Sequence, residues 1–186
     1  MITIRHARPD DAVAIGSVHV AAWRSAYPGI LPTAYLANLS VPRQAAYYEA
    51  AIRGAAGVHV ATVSGLDLGE VGRAPIVVGF ATSGRARFAN PPADGEIETL
   101  YVLDDWRERG LGRRLIHAAA EHLAAIGCLG AFLWVLRDNP SRWFYAGLGG
   151  RPAAEATIRV GGQDVVQTAY VWSPLAKLLE ATTAPQ

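Results

Sequence analysis

Apolar residues alternate weakly from Ile2 to Ala7, which predicts a first strand. Pro9-Asp10-Asp11 then opens a helix with acidic residues at its positive end. Ile15, Val18 and Ala22 keep helical spacing, so this helix should reach about Tyr27, where Pro28-Gly29 breaks it. A short helix is expected near Thr33–Leu39. Ser40, with Pro42 in the first turn, should cap another that runs to about Ile52. Val58–Val63 and Ile76–Thr82 read as an antiparallel pair of strands joined by a Gly-rich loop. Residues 84–95 hold Arg, Asn, Gly and two prolines, and read as an irregular loop.

The second half changes period twice. Glu96–Val102 is strand-like, Leu111–Ile126 is helix-like and Ala131–Leu136 is strand-like. This βαβ order demands one parallel pair, because a crossover helix returns the chain to the same end of the sheet. A short helix follows Pro140. Ala156–Val160 and Val165–Trp172 flank Gly161-Gly162 as a hairpin, and Ser173-Pro174 should cap a last helix with a frayed tail after Glu180. No internal repeat or linker divides the chain, so one mixed α/β domain over residues 1–186 is expected, its core ending near residue 173.

Composition narrows the class. Apolar residues make up 51% of 186, enough for a folded domain with a sizeable core. Seventeen basic residues against sixteen acidic leave a net charge of +1, which argues against a general nucleic-acid binder. The lone Cys128 cannot form an internal disulfide, sits in an apolar stretch and is expected to be buried, in a reducing, cytoplasmic protein. Met-Ile-Thr-Ile-Arg lacks the pattern of a signal peptide, and no uncharged apolar run reaches membrane-spanning length. The five histidines make no metal motif, no cysteine pair supports zinc, and no Gly-x-Ser-x-Gly elbow supports a serine hydrolase; no metal is expected.

The chemistry concentrates at Arg107-Glu-Arg-Gly-Leu-Gly112, between a strand and a helix start. Gly110 and Gly112 let backbone turn tightly and approach a ligand. The first amides of the helix lack helical partners and lie at its positive end, which suits a phosphate. The string is neither Gly-x-x-x-x-Gly-Lys-Ser/Thr nor the dinucleotide fingerprint, whose third glycine is replaced by Leu115. An acidic ribose ligand is also missing at the expected place, near Gly130-Ala131.

Arg107-x-x-Gly110-x-Gly112 instead resembles the acetyl-CoA loop of the GNAT superfamily of N-acetyltransferases. Glu96-Ile-Glu-Thr-Leu-Tyr-Val102 is similar to that family's central strand. Leu133–Pro140 and Phe144-Tyr-Ala-Gly-Leu-Gly149 are similar to its next strand, its Asn and its Tyr-x-x-Leu-Gly segment. The resemblance implies a mainly antiparallel sheet with one splayed parallel pair, helices on both faces and acetyl-CoA in the gap. It implies transfer of acetyl to an amine by direct attack. Arg107, Arg109, Gly110, Leu111, Gly112 and Arg113 would bind the pyrophosphate. The backbone of Leu100, Tyr101 and Val102 would pair with the pantetheine arm, and the Val102 amide would face the oxyanion. Asn139 would bond the arm, although a turn residue before Pro140 is an equal reading. Tyr145 would protonate the thiolate, although Trp143 and Phe144 beside it allow a core role.

Glu96 is the first candidate for the base, through water, and Glu98 the second. Two apart on a strand, they face the same side; both could equally be carboxylates on a polar face. The family often carries an aromatic after Leu-Gly, and Gly150 here should weaken local packing. Trp23, Tyr27, Tyr35, Tyr47 and Tyr48 could line an acceptor pocket, although most are expected in the core. Arg85 and Arg87 could meet an acidic acceptor, with solvated charges the preferred reading. The expected acceptor is a small-molecule primary amine. A protein N-terminal or lysine amine, and a non-catalytic acyl-CoA sensor, are the alternatives. The hairpin and last helix offer a surface for a homodimer.

Overall fold

In the computed structural model, residues 2–54, 56–65, 69 and 74–183 are described. Seven strands form one sheet in the order β1-β2-β3-β4-β5-β7-β6. They are β1 (Ile2–His6), β2 (Gly57–Val63), β3 (Ile76–Arg85), β4 (Gly95–Val102), β5 (Ala131–Leu136), β6 (Arg151–Val160) and β7 (Gln163–Trp172). Every neighbouring pair is antiparallel except β4–β5, as the βαβ pattern required. Among the described residues six α-helices accompany the sheet: α1 (Ala12–Ala26), α2 (Thr33–Ala37), α3 (Val41–Arg53), α4 (Leu111–Ala125), α5 (Arg142–Gly147) and α6 (Ala176–Thr182).

Both sheet faces are covered. Ile15, Val18 and Tyr48 from α1 and α3 meet Val58, Val60 and Phe80 on one face. The two helices cross closely because Gly16 has no side chain: a Cβ there would stand 2.9 Å from Ala45 N and Val41 O. On the other face α4 buries Leu111, Leu115, Ile116, Ala119, Ala120 and Leu123, one stripe at helical spacing. Each large side chain so buried contributes about 1.5–3 kcal/mol of transfer free energy. With helices on both sides, β2 is buried at every position, including the polar His59 and Thr62.

Several boundaries differ from expectation. Strand β6 starts at Arg151, five residues early, because it is a largely exposed edge strand with no alternation to read. The β3 strand runs on to Arg85, and a short 3-10 turn, Asp104–Trp106, follows β4. Ser40 caps α3 as expected, accepting from Arg43 N at 3.4 Å. Ser173-Pro174 does not cap the last helix; that peptide is cis, and Leu175 takes the N-cap position. Helix α6 continues to Thr182, and residues 184–186 of the expected tail lie outside the described residues. So does most of the expected Gly-rich loop, at 66–68 and 70–73.

Candidate functional site

Strands β4 and β5 are held together only where they begin. Gly95 pairs with Ala131 and Glu96 with Phe132, and the ladder stops there. The Asp94 carboxylate fastens this end, accepting from Leu129 N at 2.9 Å and Gly130 N at 2.9 Å. Beyond it, β4 bulges. Thr82 of β3 pairs with Thr99 and Ser83 with Ile97, so Glu98 is one residue too many for the ladder. A bulge bends its strand and sharpens the twist, and β4 leaves β5. The gap is a cavity of about 560 Å³, walled by Ile97–Val102 on one side and Leu133–Leu136 on the other.

The split leaves β4 backbone groups without a neighbour. Leu103 N donates to Val78 O at 2.9 Å on the β3 side. Antiparallel strands alternate their bonding edges, so the Val102 and Leu100 amides point to the gap.

At one mouth of the cavity lies the glycine loop. Gly110 is left-handed at φ 73° and Glu108 at φ 59°; a non-glycine residue there is costly, and such strain gathers in ligand loops. Helical bonding in α4 begins with Arg114 N to Gly110 O at 3.1 Å, so the amides of Leu111, Gly112 and Arg113 form the free positive end. A Cβ at Gly112 would lie 3.3 Å from Phe144, so glycine keeps this cradle open. Arg107, Gly110, Leu111, Gly112 and Arg113 all line the cavity. Arg109 does not: its guanidinium lies over the Trp106 ring, 4.7 Å from the centroid. An anionic group fits this cradle of amides, open backbone and two arginines.

The two carboxylates are not equivalent. Glu98 lines the cavity and Glu96 does not. Glu96 is 3% exposed and is gripped by Arg87, at 3.1 Å from Nε and 3.0 Å from Nη2. Arg87 Nη1 also reaches Glu98 Oε2 at 3.1 Å, so both carboxylates face the same side. Arg87 is therefore ion-paired rather than free, whereas Arg85 is exposed and donates to Ile126 O at 2.5 Å. Desolvation raises the Glu98 carboxyl above its ordinary value; Arg87 opposes this and Glu96 adds to it. The Tyr47 hydroxyl donates to Glu98 at 3.4 Å.

Tyr145 is buried and lines the cavity, and among the described residues none hydrogen-bonds its hydroxyl. Burial pushes its phenol well above the usual range, so it stays protonated. Asn139 also lines the cavity. Its Oδ1 accepts from Ser141 N at 2.9 Å as a turn residue, and its Nδ2 donates to Tyr27 at 3.4 Å. Gly150 leaves no packing defect. Trp172 occupies the place of the missing aromatic, 1% exposed, with its indole donating to Leu148 O at 2.9 Å.

Of the N-terminal aromatics, Trp23 and Tyr27 line the cavity, whereas Tyr48 is core and bonds buried His19 at 2.8 Å. Sequence reasoning did not single out Trp134, Ile158 and Val160, which also line it. Their only signal was an ordinary strand pattern. His6, His59 and His122 cluster away from the cavity with centroids 4.2–6.3 Å apart. Among the described residues no group of three His, Cys, Asp or Glu is arranged to hold a metal.

A sheet split at its one parallel pair, with a glycine cradle at the mouth, is the arrangement the sequence motifs implied. Residues 20–163 match the acetyltransferase (GNAT) family. The chain belongs to that family. It is an N-acetyltransferase, an acyltransferase that acts on an amine acceptor. The Bacillus subtilis (strain 168) protein named Uncharacterized N-acetyltransferase YuaI is 32% identical over 178 residues, 96% of each chain. An N-acetyltransferase structure from Staphylococcus aureus Mu50 superposes with a TM-score of 0.68 at 20% identity, over 93% of this chain and 98% of that one. The PaiA N-acetyltransferase of Thermoplasma acidophilum, in complex with coenzyme A, gives 0.63 at 18%, over 90% and 98%. These two structures share the fold with the acetyltransferase described here. No helix among its described residues is long and apolar enough to cross a membrane.

Proposed function

We propose that this acetyltransferase, as one domain over residues 1–186, moves acetyl from acetyl-CoA to the primary amine of a small molecule by direct attack. The observation that carries the reading is the continuity of one cavity. It joins the cradle at 107–113 to Glu98 and Tyr145 through the gap between β4 and β5. Acetyl-CoA supplies an activated thioester, and the residues supply the rest. The amides of Leu111–Arg113, with Arg107 and Arg113, hold the pyrophosphate. The Leu100 amide binds the pantetheine arm as an added strand, Asn139 meets it from the α5 side, and Val102 N–H donates to the oxyanion.

Glu98 is the base, through water, and Glu96 anchors Arg87 beside it. An alkyl ammonium has a pKa near ~10, so a base that is stronger than an ordinary carboxylate helps it lose its proton. Burial moves Glu98 in that direction. Tyr145 hydrogen-bonds to the departing sulfur and passes it a proton as the proton released by the amine replaces it, so that no buried tyrosinate accumulates. A buried, unpaired Cys128 fits a reducing, cytoplasmic setting.

The test is thiol release from acetyl-CoA across a panel of amines, with Tyr145→Phe and Glu98→Gln. Each substitution should lower kcat by ~10²–10⁴-fold while calorimetry shows unchanged CoA affinity. Undiminished turnover in both would sink the assigned roles. Absence of CoA binding by the wild-type protein would sink the whole reading.

A further inference from the structure

The cavity has two unlike ends. One is the charged cradle. The other is formed where the tip of the β6–β7 hairpin closes on the chain after α1. The closure is tight: a Cβ at Gly161 would lie 2.6 Å from the Tyr35 Cβ, and Gln163 Nε2 donates to Ile30 O at 3.3 Å. Tyr27, Leu31, Leu36 and Val165 form a small core there, and Trp23, Ile158 and Val160 pack against it only partly buried. Trp23, Tyr27, Leu31, Ile158 and Val160 turn apolar surface to the cavity. Trp23 meets Tyr27 edge to face, at 4.9 Å and 65°, which gives the wall flat aromatic surfaces. Apart from Arg107, Glu108 and Arg113 in the cradle, Glu98 is the charged residue on the cavity wall.

From this geometry we infer that the acceptor is an arylalkyl primary amine. Its ring lies in the apolar end formed by Trp23, Tyr27, Leu31, Ile158 and Val160, and its ammonium faces Glu98. This rests on the acetyltransferase reading above and narrows its acceptor. A polyamine or a basic peptide would bring further charges into a wall that offers one carboxylate. That wall would desolvate them without a partner, which is costly. A ring on a short alkyl arm replaces water against apolar surface and leaves one charge, which Glu98 meets. A longer acyl chain is the rival occupant of the same end; the carboxylate beside it favours a cation instead.

The experiment compares phenethylamine, ethylamine, spermidine and a glycine-initiated peptide by thiol release from acetyl-CoA, then hexanoyl-CoA against acetyl-CoA. Phenethylamine should exceed ethylamine in kcat/KM by ~100-fold, as several apolar groups enter the pocket. It should also quench the tryptophan fluorescence of the CoA-saturated protein, a readout independent of turnover. Ile158→Lys should raise the phenethylamine KM by ~10-fold or more. Val160→Thr, nearly the same shape, should raise it in the same direction. Neither should move CoA affinity. Equal use of phenethylamine and ethylamine, preference for spermidine or the peptide, preference for hexanoyl-CoA, or silence across the panel would each overturn the inference. All of these results leave CoA binding intact, so they are distinct from failure of the underlying reading, which would abolish it.

Discussion

Three glycines between Tyr145 and β6 should respond to alanine in three different ways, for reasons visible at each site. Gly150 is buried, and an added Cβ would stand 2.6 Å from Trp172 Cζ2, 3.0 Å from Trp172 Cε2 and 2.9 Å from the Tyr145 carbonyl oxygen. Trp172 is 1% exposed and tied to Leu148 O, so it cannot swing away. Overpacking of this kind costs about 1–3 kcal/mol. Gly149 has open space around it but sits at φ +77°, where an L side chain is strained by about 1–2 kcal/mol. Gly147 ends α5 with neither problem, so alanine there should stabilise by about 0.4–1 kcal/mol through the unfolded chain. Urea unfolding at constant m would rank the variants, and 1 kcal/mol corresponds to roughly 2–4 °C in Tm for a chain of this length. Turnover adds a second axis. Gly150→Ala presses on the Tyr145 backbone and should lose activity at temperatures where it is still folded, whereas Gly147→Ala should keep it. A Gly150→Ala protein as stable as wild type would refute the reasoning, as would a destabilised Gly147→Ala.

Other consequences are equally direct. Desolvation lowers His19 and His59 to about 4 from an ordinary 6.5, with His6 and His122 adding to the effect at His59. A folded-state value below the unfolded one means that this contribution to stability is complete above pH 6.5 and is lost as pH falls toward 4. The loss approaches about 3 kcal/mol per histidine. Urea midpoints between pH 7 and pH 4.5 should therefore drop less steeply for His59→Phe than for wild type; parallel slopes would count against it. Arg87→Met removes the cation that opposes the rise of the Glu98 carboxyl. The acid limb of kcat/KM should move to higher pH, and an unmoved limb would show that Glu98 is not the titrating base. Gly112→Ala places a methyl 3.3 Å from Phe144 in the cradle and should weaken CoA binding with little change in Tm. Equal affinity in calorimetry would put the pyrophosphate elsewhere.

Local order was legible along the chain because local physics dictates it. The apolar stripe of α4, the strand–glycine–helix turn at 107–112 and the parallel β4–β5 pair all follow from spacing and connectivity. The same motifs pointed to the acetyltransferase family. The tertiary structure alone decided which groups meet across distance. Nothing near Glu98 announces that it is the extra residue of a bulge, since a bulge exists only relative to the partner strand. Nor could spacing separate Glu96 from Glu98, because Arg87 lies in an irregular loop whose path depends on where the sheet ends. Trp172 fills the space left by Gly150 from a strand more than twenty residues away. The apolar end of the cavity joins the chain after α1 to the tip of the last hairpin. Periodicity reports which face of an element is buried; what lies opposite that face is set only when distant elements pack.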